Sequence, residues 1–146
     1  MSPPVIVDTN VVVAGLLTSR ADSPVARVLD GMLTAAFPFV LSEALVAEYR
    51  SVLRRPSLRK AHGLTPNQVD IILVELVQHG IVLAPVTAPR APEPGDQHLW
   101  ELLAARKELL LVTGDRFLQR DRAMGPRIVS PANFVARWLP NFKPPP

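Results

Sequence analysis

Short apolar runs alternate along the chain with longer stretches in which apolar residues recur at helical spacing. The runs at residues 4–7 and 37–41 lack polar alternation, which predicts strands that are buried on both faces. Further strands are predicted at residues 81–84, at residues 109–113 and, as a short fifth strand, at Ile128–Val129. Helical or loop-like residues separate each predicted strand from the next.

The stretches between the strands carry recognisable signals for helix starts and ends. Ser23, Ser42, Thr65 and Ser130 each stand where a side-chain oxygen would cap a helix, three of them directly before a proline. The pair Arg55-Pro56 is expected to end the helix that follows Ser42. Helices are predicted over residues 11–17, 24–36, 43–54, 66–79, 96–106 and 131–139.

The alternation of strands and helices predicts an α/β fold, a three-layer α/β/α sandwich with a mainly parallel central sheet. A chain of 146 residues fits one compact domain, to which we assign residues 1–140. The proline-rich tail, residues 141–146, is expected to be disordered.

The composition indicates a cellular compartment but does not decide whether the net positive charge reflects a binding partner. The chain has no cysteine, which excludes disulfides and thiolate metal sites and fits a reducing cytosol. It has no signal-peptide pattern and no apolar run long enough to span a bilayer, so we expect a cytoplasmic protein without a membrane partner. The net charge of +3 fits either ordinary solubility or a polyanionic partner.

Four acidic residues stand near the predicted carboxyl ends of the strands, where ligands bind in open α/β sheets. Asp8 ends the first strand, and Asp115 comes just past the strand at 109–113. Asp96 begins a helix, and Glu48 lies one to two turns into the helix after the second strand. Each acid taken alone is also explained as a cap, turn or surface residue.

Taken together, the four acids suggest a metal site. Carboxylates gathered at one sheet edge repel each other and raise each other's pKa unless a cation joins them. Oxygen ligands without cysteine or a spaced histidine pair suit Mg²⁺ or Mn²⁺ rather than zinc. Such ions activate water and stabilise charge in phosphodiester hydrolysis. An acidic centre in a basic chain suits a nucleic-acid backbone, although solvated helix faces explain many of the cations equally well.

Four short motifs, in this order, resemble those of PIN domains. Residues 5–10, Val-Ile-Val-Asp-Thr-Asn, resemble the opening strand of that family, and Ser42 with Glu48 six residues later resembles its second acidic block. Gly95-Asp96 before a leucine-rich helix is similar to the third block, and Val-Thr-Gly-Asp at 112–115 to the fourth. The set spans residues 4–139 and most resembles the bacterial PIN group of VapC-like toxins from type II toxin–antitoxin systems.

The resemblance implies a fold, an activity and a set of site residues. It implies a three-layer α/β/α fold and Mg²⁺- or Mn²⁺-dependent endoribonuclease activity on single-stranded RNA. It also implies a homodimer and an antitoxin whose C-terminal segment lies over the active site. The catalytic and metal-binding residues would be Asp8, Glu48, Asp96 and Asp115, with support from Asn10, Thr113 and Ser42. Helix capping explains Ser42 as well.

Some alternatives stay open at the level of the sequence. Glu43 competes with Glu48, but the two lie roughly 140° apart around a helix, and the spacing from Ser42 favours Glu48. His98, two residues from Asp96, could approach the substrate, and the helices at 43–54 and 66–79 could form an arm for a partner or plain core. The alternative function is a PIN-like RNA- or protein-binding module with little or no nuclease activity. A phosphoacceptor receiver domain lacks the required aspartate and lysine positions.

Overall fold

The computed structural model describes residues 2–141, which form an α/β fold with parallel strands, as the alternating pattern predicts. Strand β1 pairs in parallel with β4, β4 with β5, and β2 with β3. These pairs make a three-stranded sheet, β1-β4-β5, and a two-stranded sheet, β2-β3. A parallel bridge between Val5 of β1 and Phe39, the residue before β2, places the second sheet beside β1, which gives a combined strand order of 3-2-1-4-5. The strands are β1 (Val5–Val7), β2 (Val40–Leu41), β3 (Ile81–Val82), β4 (Leu110–Val112) and β5 (Ile128–Val129).

Helices cover both faces of the central strands. Consecutive residues of a strand point to opposite faces, and Val5, Ile6 and Val7 are all buried. Helix α2 packs against α1, α5 and α7, whereas α3 packs against α1, α5 and α6. The helices are α1 (Thr9–Leu17), α2 (Pro24–Leu33), α3 (Glu43–Leu53), α4 (Pro56–His62), α5 (Pro66–His79), α6 (Gln97–Leu103) and α7 (Pro131–Trp138).

All four predicted helix caps are confirmed. The hydroxyl oxygens of Ser23, Ser42, Thr65 and Ser130 each accept a hydrogen bond from a backbone N–H three residues later, at 3.1–3.3 Å. The side chain of Gln68 accepts from the backbone N–H of Thr65 at 2.9 Å, which completes a capping box. Local hydrogen bonding therefore sets these helix starts, as expected from sequence.

Helix α2 is shorter than predicted because a local motif ends it early. The prediction extends it to residue 36, but it ends at Leu33. Ala35 adopts a left-handed conformation with φ 55°, and the N–H of Ala36 donates to the oxygen of Gly31 at 2.8 Å. This is the Schellman arrangement, which satisfies the last carbonyls of a helix and turns the chain away.

Three further features differ from the prediction. Arg55-Pro56 does end α3, but Pro56 also begins a new helix, α4, because proline is tolerated at the first helical position. Helix α6 ends at Leu103 instead of residue 106, and a 3-10 turn at Pro94–Asp96 precedes it. Two more 3-10 turns, Arg116–Arg120 and Gly125–Arg127, were not predicted. Apart from Asn141, the predicted tail lies outside the described residues.

The strand order fixes where a ligand would bind. From β1 the chain moves to β2 and β3 on one side, whereas β4 and β5 lie on the other side. The order therefore reverses between β1 and β4, and the carboxyl ends of these two strands flank a crevice. In the part of the chain that is described, no helix is both long and apolar enough to cross a membrane.

Candidate active site

Three aspartates from separate parts of the chain line one cavity at the crevice between β1 and β4. Asp8 follows β1, Asp115 follows β4, and Asp96 lies where the 3-10 turn meets α6. The cavity has a volume of about 450 Å³. Its remaining wall is formed by Thr9, Asn10, Val13, Ala14, Leu17 and Val52. The predicted convergence of these three acids is thus present in the structure.

Asp8 is held by a network of hydrogen bonds at the start of α1. Its Oδ1 accepts from the backbone N–H of Thr9 at 2.8 Å, and its Oδ2 accepts from the Thr113 hydroxyl at 2.8 Å. The Asn10 amide lies 3.4 Å from the same Oδ2. The backbone N–H of Asp8 donates to Val112 at 2.9 Å, which ties the end of β1 to β4. The carboxylate of Asp8 is therefore fixed in direction.

Thr113 and Asn10 connect Asp8 to the segment that carries Asp115. The Thr113 hydroxyl oxygen accepts from the backbone N–H of Asp115 at 3.1 Å and from the Asn10 amide at 3.3 Å. The side-chain oxygen of Asn10 accepts from the backbone N–H of Gly114 at 3.2 Å. The residues expected to support the site thus contact the predicted acids and fix their relative positions.

Burial and neighbouring carboxylates oppose the ionisation of Asp8, which is only 6% exposed. Burial, the largest cause, and the carboxylates of Asp96 and Glu48 together raise the pKa of Asp8 from 3.8 to about 6, against the lowering effect of the hydrogen bonds from Thr113 and Thr9. Burial also raises the pKa of Asp96, with added repulsion from Asp115 and Glu48. The site thus gathers negative charge without a neutralising cation among these residues.

Glu48, rather than Glu43, is the acid of α3 that lies beside this cluster. The Thr9 hydroxyl donates to Glu48 Oε1, and His98 Nε2 lies 3.1 Å from Glu48 Oε2. Glu43 is exposed in the first turn of the helix. Because each carboxylate oxygen has two lone-pair positions, these contacts leave Glu48 able to accept further interactions.

Tyr49 explains why α3 carries Glu48 to this position. Its side chain is fully buried, and its hydroxyl donates to the carbonyl oxygen of Val7, the last residue of β1. Burial, together with the carboxylates of Asp8 and Glu48, raises the pKa of Tyr49 well above its usual value, so its hydroxyl keeps the proton that it donates. The neighbouring Glu48 is consequently held beside Thr9.

Ser42 has a local explanation. Its hydroxyl oxygen caps α3 through the N–H of Leu45 at 3.1 Å. The buried hydroxyl of Thr9 holds Glu48, a role not predicted for it from the sequence. The available signal is its place between Asp8 and Asn10 in the motif at residues 5–10.

The two tryptophans and His62 have packing or local contacts that explain them without a role in the site. Trp100 is fully buried in the core, and Trp138 packs against Phe134 with ring centroids 5.4 Å apart. His62 bridges two backbone groups, with Nε2 2.8 Å from the carbonyl oxygen of Leu53 and Nδ1 accepting from the Leu64 N–H. Of the three histidines, His98 is the one that contacts a predicted site residue.

The donor set could hold a divalent cation, although it does not form a finished cage. Within residues 2–141, no three acidic or histidine side chains converge closely enough to enclose a metal by themselves. Asp8, Asp96 and Asp115 nevertheless offer oxygen donors around the same space. A larger cavity of about 710 Å³, beside the proline-rich loop, has Arg90 as its one charged lining residue. The candidate site is therefore identified by the three carboxylates that line it, not by the volume of its cavity.

A run of basic residues lies near one wall of the site. Residues 49–69 contain five arginines and lysines and no acid. Within this segment, Arg55 at the N-terminal cap of α4 and Arg59 and Lys60 on α4 are exposed, and α4 packs against α1, which lines the cavity. An acidic cleft is thus flanked by a basic surface.

A comparison with known families agrees with this geometry. The PIN domain family model matches residues 4–117, a range that includes Asp8, Glu48, Asp96 and Asp115. No characterised, curated protein gave a match. PIN domains are commonly nucleases, and their substrates are nucleic acids. Because the match covers well over half of the 146 residues, this chain belongs to the PIN domain family.

Proposed function

We propose that this protein is an endoribonuclease that cleaves single-stranded RNA with the help of Mg²⁺ or Mn²⁺. One observation carries the proposal: Asp8, Asp96 and Asp115 line a single cavity where the strand order reverses. Membership of a family of nucleases supports hydrolysis of a nucleic-acid backbone in particular.

The donor chemistry fits a hydrated divalent cation. Mg²⁺ keeps several waters and is bound through one or two carboxylates together with substrate phosphates, so it does not require an all-protein cage. Asp8, Asp96 and Asp115 would hold the ion, and Glu48 would complete the set. When bound, the ion supplies activation of water and stabilisation of charge at phosphorus.

The chain's own residues prepare the site for this ion. Thr113 and Asn10 orient the Asp8 carboxylate, which reduces the motion that binding would otherwise have to suppress. Thr9 and His98 orient Glu48 from its two oxygens. Ser42 would act indirectly, by starting the helix that carries Glu48.

The charge distribution supports an RNA backbone as the substrate. Arg55, which caps α4, and Arg59 and Lys60 on that helix have no acidic partner within 4 Å among residues 2–141, so they are available to phosphates. Arg50 and Arg54, by contrast, pair with Asp70 at 3.1 and 3.0 Å. We propose that α4 attracts the substrate to the acidic cavity.

The biological role that we propose is that of a toxin in the cytoplasm, controlled by an antitoxin and acting as a homodimer. An apolar surface on α5 supports a protein partner, because Ile71, Val74 and Val77 are exposed at three-residue spacing. The edge strand β3 adds exposed Ile81 and Val82 to the apolar surface of this part of the chain. Growth arrest by the wild type, relieved by Asp8→Asn, would support the toxin role.

A binding module with little nuclease activity is the second candidate. It is favoured by the lack, among residues 2–141, of three acids that enclose a metal.

A cleavage assay separates the two candidates. A mixed pool of single-stranded RNA would be incubated with Mg²⁺ or Mn²⁺, and then with EDTA, using the wild type, Asp8→Asn and the matched surface variant Asp22→Asn. We expect cleavage by the wild type and Asp22→Asn, and its loss with EDTA or Asp8→Asn. Binding without cleavage under either metal would favour the module, and cleavage that survives Asp8→Asn would contradict the proposed role of Asp8.

A further inference from the structure

The segment after Asp115 presents an aromatic ring to solvent two residues along the chain from an acid of the candidate site. Phe117 is 53% exposed, whereas every other aromatic side chain of residues 2–141 is buried or partly buried. Among the other phenylalanines that the structure describes, Phe37 makes edge-to-face contacts with Phe39 and Phe134 in the core. Single exposed apolar residues are common, so exposure alone does not establish a function for Phe117.

The position of Phe117 is fixed relative to the site. Its backbone N–H donates to Asp115 Oδ1 at 3.0 Å, so Asp115 caps the 3-10 turn Arg116–Arg120. On the other side, Leu118 is fully buried and anchors the same turn in the core. These two attachments hold the backbone of Phe117 two residues from a carboxylate that lines the cavity.

The surroundings of the ring are basic. Arg116 and Arg120 flank Phe117, and Arg122 follows shortly after. All three are exposed, and none has a carboxylate within 4 Å in the described part of the chain. An exposed ring between arginines is the combination by which proteins hold single-stranded nucleic acids, since bases stack on the ring and phosphates meet the cations.

We propose that Phe117 forms a base-stacking subsite for single-stranded nucleic acid next to the scissile phosphate. This inference rests on the proposed function, because the subsite would hold the nucleotide adjacent to the one that is cleaved. Stacking on one ring tolerates every base, so the subsite provides affinity and position rather than sequence specificity. A duplex keeps its bases stacked on each other, so the subsite also selects against double-stranded substrates.

Binding in EDTA tests the subsite separately from cleavage. Fluorescence anisotropy with a short labelled RNA would compare the wild type with Phe117→Leu, Phe117→Tyr and the control Val86→Ala, which trims an exposed apolar residue of a loop. We expect Phe117→Leu to weaken binding roughly 5- to 100-fold, and Phe117→Tyr to bind within about 3-fold of the wild type. Unchanged melting temperatures would show that each variant is folded.

A second arm places the ring against one base. RNAs with a single abasic nucleotide at successive positions would be tested with the wild type and Phe117→Leu. For the wild type, we expect weaker binding when the abasic nucleotide stands at one position next to the cleavage point. For Phe117→Leu, the same abasic nucleotide should cause no further loss of affinity, because the ring and the base act as a pair. Equal abasic penalties in both proteins, or unchanged binding by Phe117→Leu, would overturn the subsite.

The two proposals can fail independently. Binding that depends on Phe117, without cleavage in Mg²⁺ or Mn²⁺, would keep the subsite and reject the nuclease. Metal-dependent cleavage that is indifferent to Phe117→Leu would keep the nuclease and reject the subsite. A folded wild type that neither binds nor cleaves single-stranded RNA would reject both.

Discussion

At the scale of one residue, Asp8 shows how a buried carboxylate in the candidate site lowers the stability of the folded protein. Its carboxylate is buried among other carboxylates, so its pKa rises from 3.8 to about 6. Below the unfolded pKa the group is protonated in both states and costs nothing. Between pH 3.8 and about 6 the carboxyl ionises in the unfolded chain but stays protonated in the folded one, so the metal-free protein loses up to about 3 kcal/mol of stability over this range and no more above it.

Asp8→Asn should therefore stabilise the metal-free protein at neutral pH. The amide keeps an oxygen for the Thr9 N–H but fits the Thr113 hydroxyl less well, so we expect a net gain of about 1–2 kcal/mol. Thermal melts in EDTA would show a rise of several degrees at pH 7.5 and almost none at pH 4. Asp22→Asn, whose side chain is 80% exposed, is the control. A gain that did not depend on pH would contradict the electrostatic cause.

His98 is a positioning residue in this account, acting through Glu48. Replacing it by leucine removes the contact at 3.1 Å, and we expect Mn²⁺ affinity to fall about 10- to 100-fold. His98→Gln keeps an N–H donor at similar reach, so it should recover most of that affinity. Isothermal titration with Mn²⁺ measures both variants. Equal losses in both would indicate that the imidazole has only a packing role.

The sequence predicts the acids of the site better than the contacts between them. Asp8 and Asp115 follow from the rule that strand ends converge at one sheet edge. The contacts of Thr9 and His98 with Glu48 depend on how α3 and α6 settle on β1, which no local pattern encodes. The sequence nevertheless distinguishes Glu48 from Glu43, because two residues five apart on a helix cannot both face the same side.

At the scale of elements, local signals set the helix starts, whereas tertiary contacts and turns set several of their ends. The serine and threonine caps can be predicted from the sequence because each hydrogen bond joins residues three apart in the chain. Helix α2 ends early because Ala35 adopts a left-handed conformation. Alanine rarely does so, and no residue in the sequence predicts it there. Helix α4 was missed because Pro56 ends one helix and starts another.

The close approach of α1 and α2 gives a prediction at this scale. A Cβ atom on Gly15 would lie 2.8 Å from the carbonyl oxygen of Val25 and 2.9 Å from the Cβ of Leu29, so the helices would have to separate. We expect Gly15→Ala to lower stability by about 1–3 kcal/mol despite the better helix propensity of alanine. Urea denaturation measures this, with Gly95→Ala, where the added Cβ meets open space, as the control. A stabilised Gly15→Ala would show that the contact yields easily.

At the scale of the whole molecule, the charge of the chain is divided between an acidic cleft and a basic helix. Neutralising Arg55, Arg59 and Lys60 to glutamine should weaken RNA binding and reduce the slope of log affinity against log salt by about 2. Fluorescence anisotropy over a salt series measures the slope. The variant with Arg106→Gln and Lys107→Gln, which lie before β4 at the far end of that strand from Asp115, should change the slope by much less than two thirds as much. A change of about two thirds, in proportion to two charges removed against three, would indicate an undirected attraction.

The most direct test of the account is to locate Mn²⁺ by anomalous diffraction from crystals soaked in the ion. The account predicts a peak bound by Asp8 and at least one of Asp96 and Asp115, and its loss from Asp8→Asn crystals. A fully occupied peak elsewhere, or none at a concentration that supports cleavage, would contradict the claim that this acidic cavity is the metal-dependent nuclease centre.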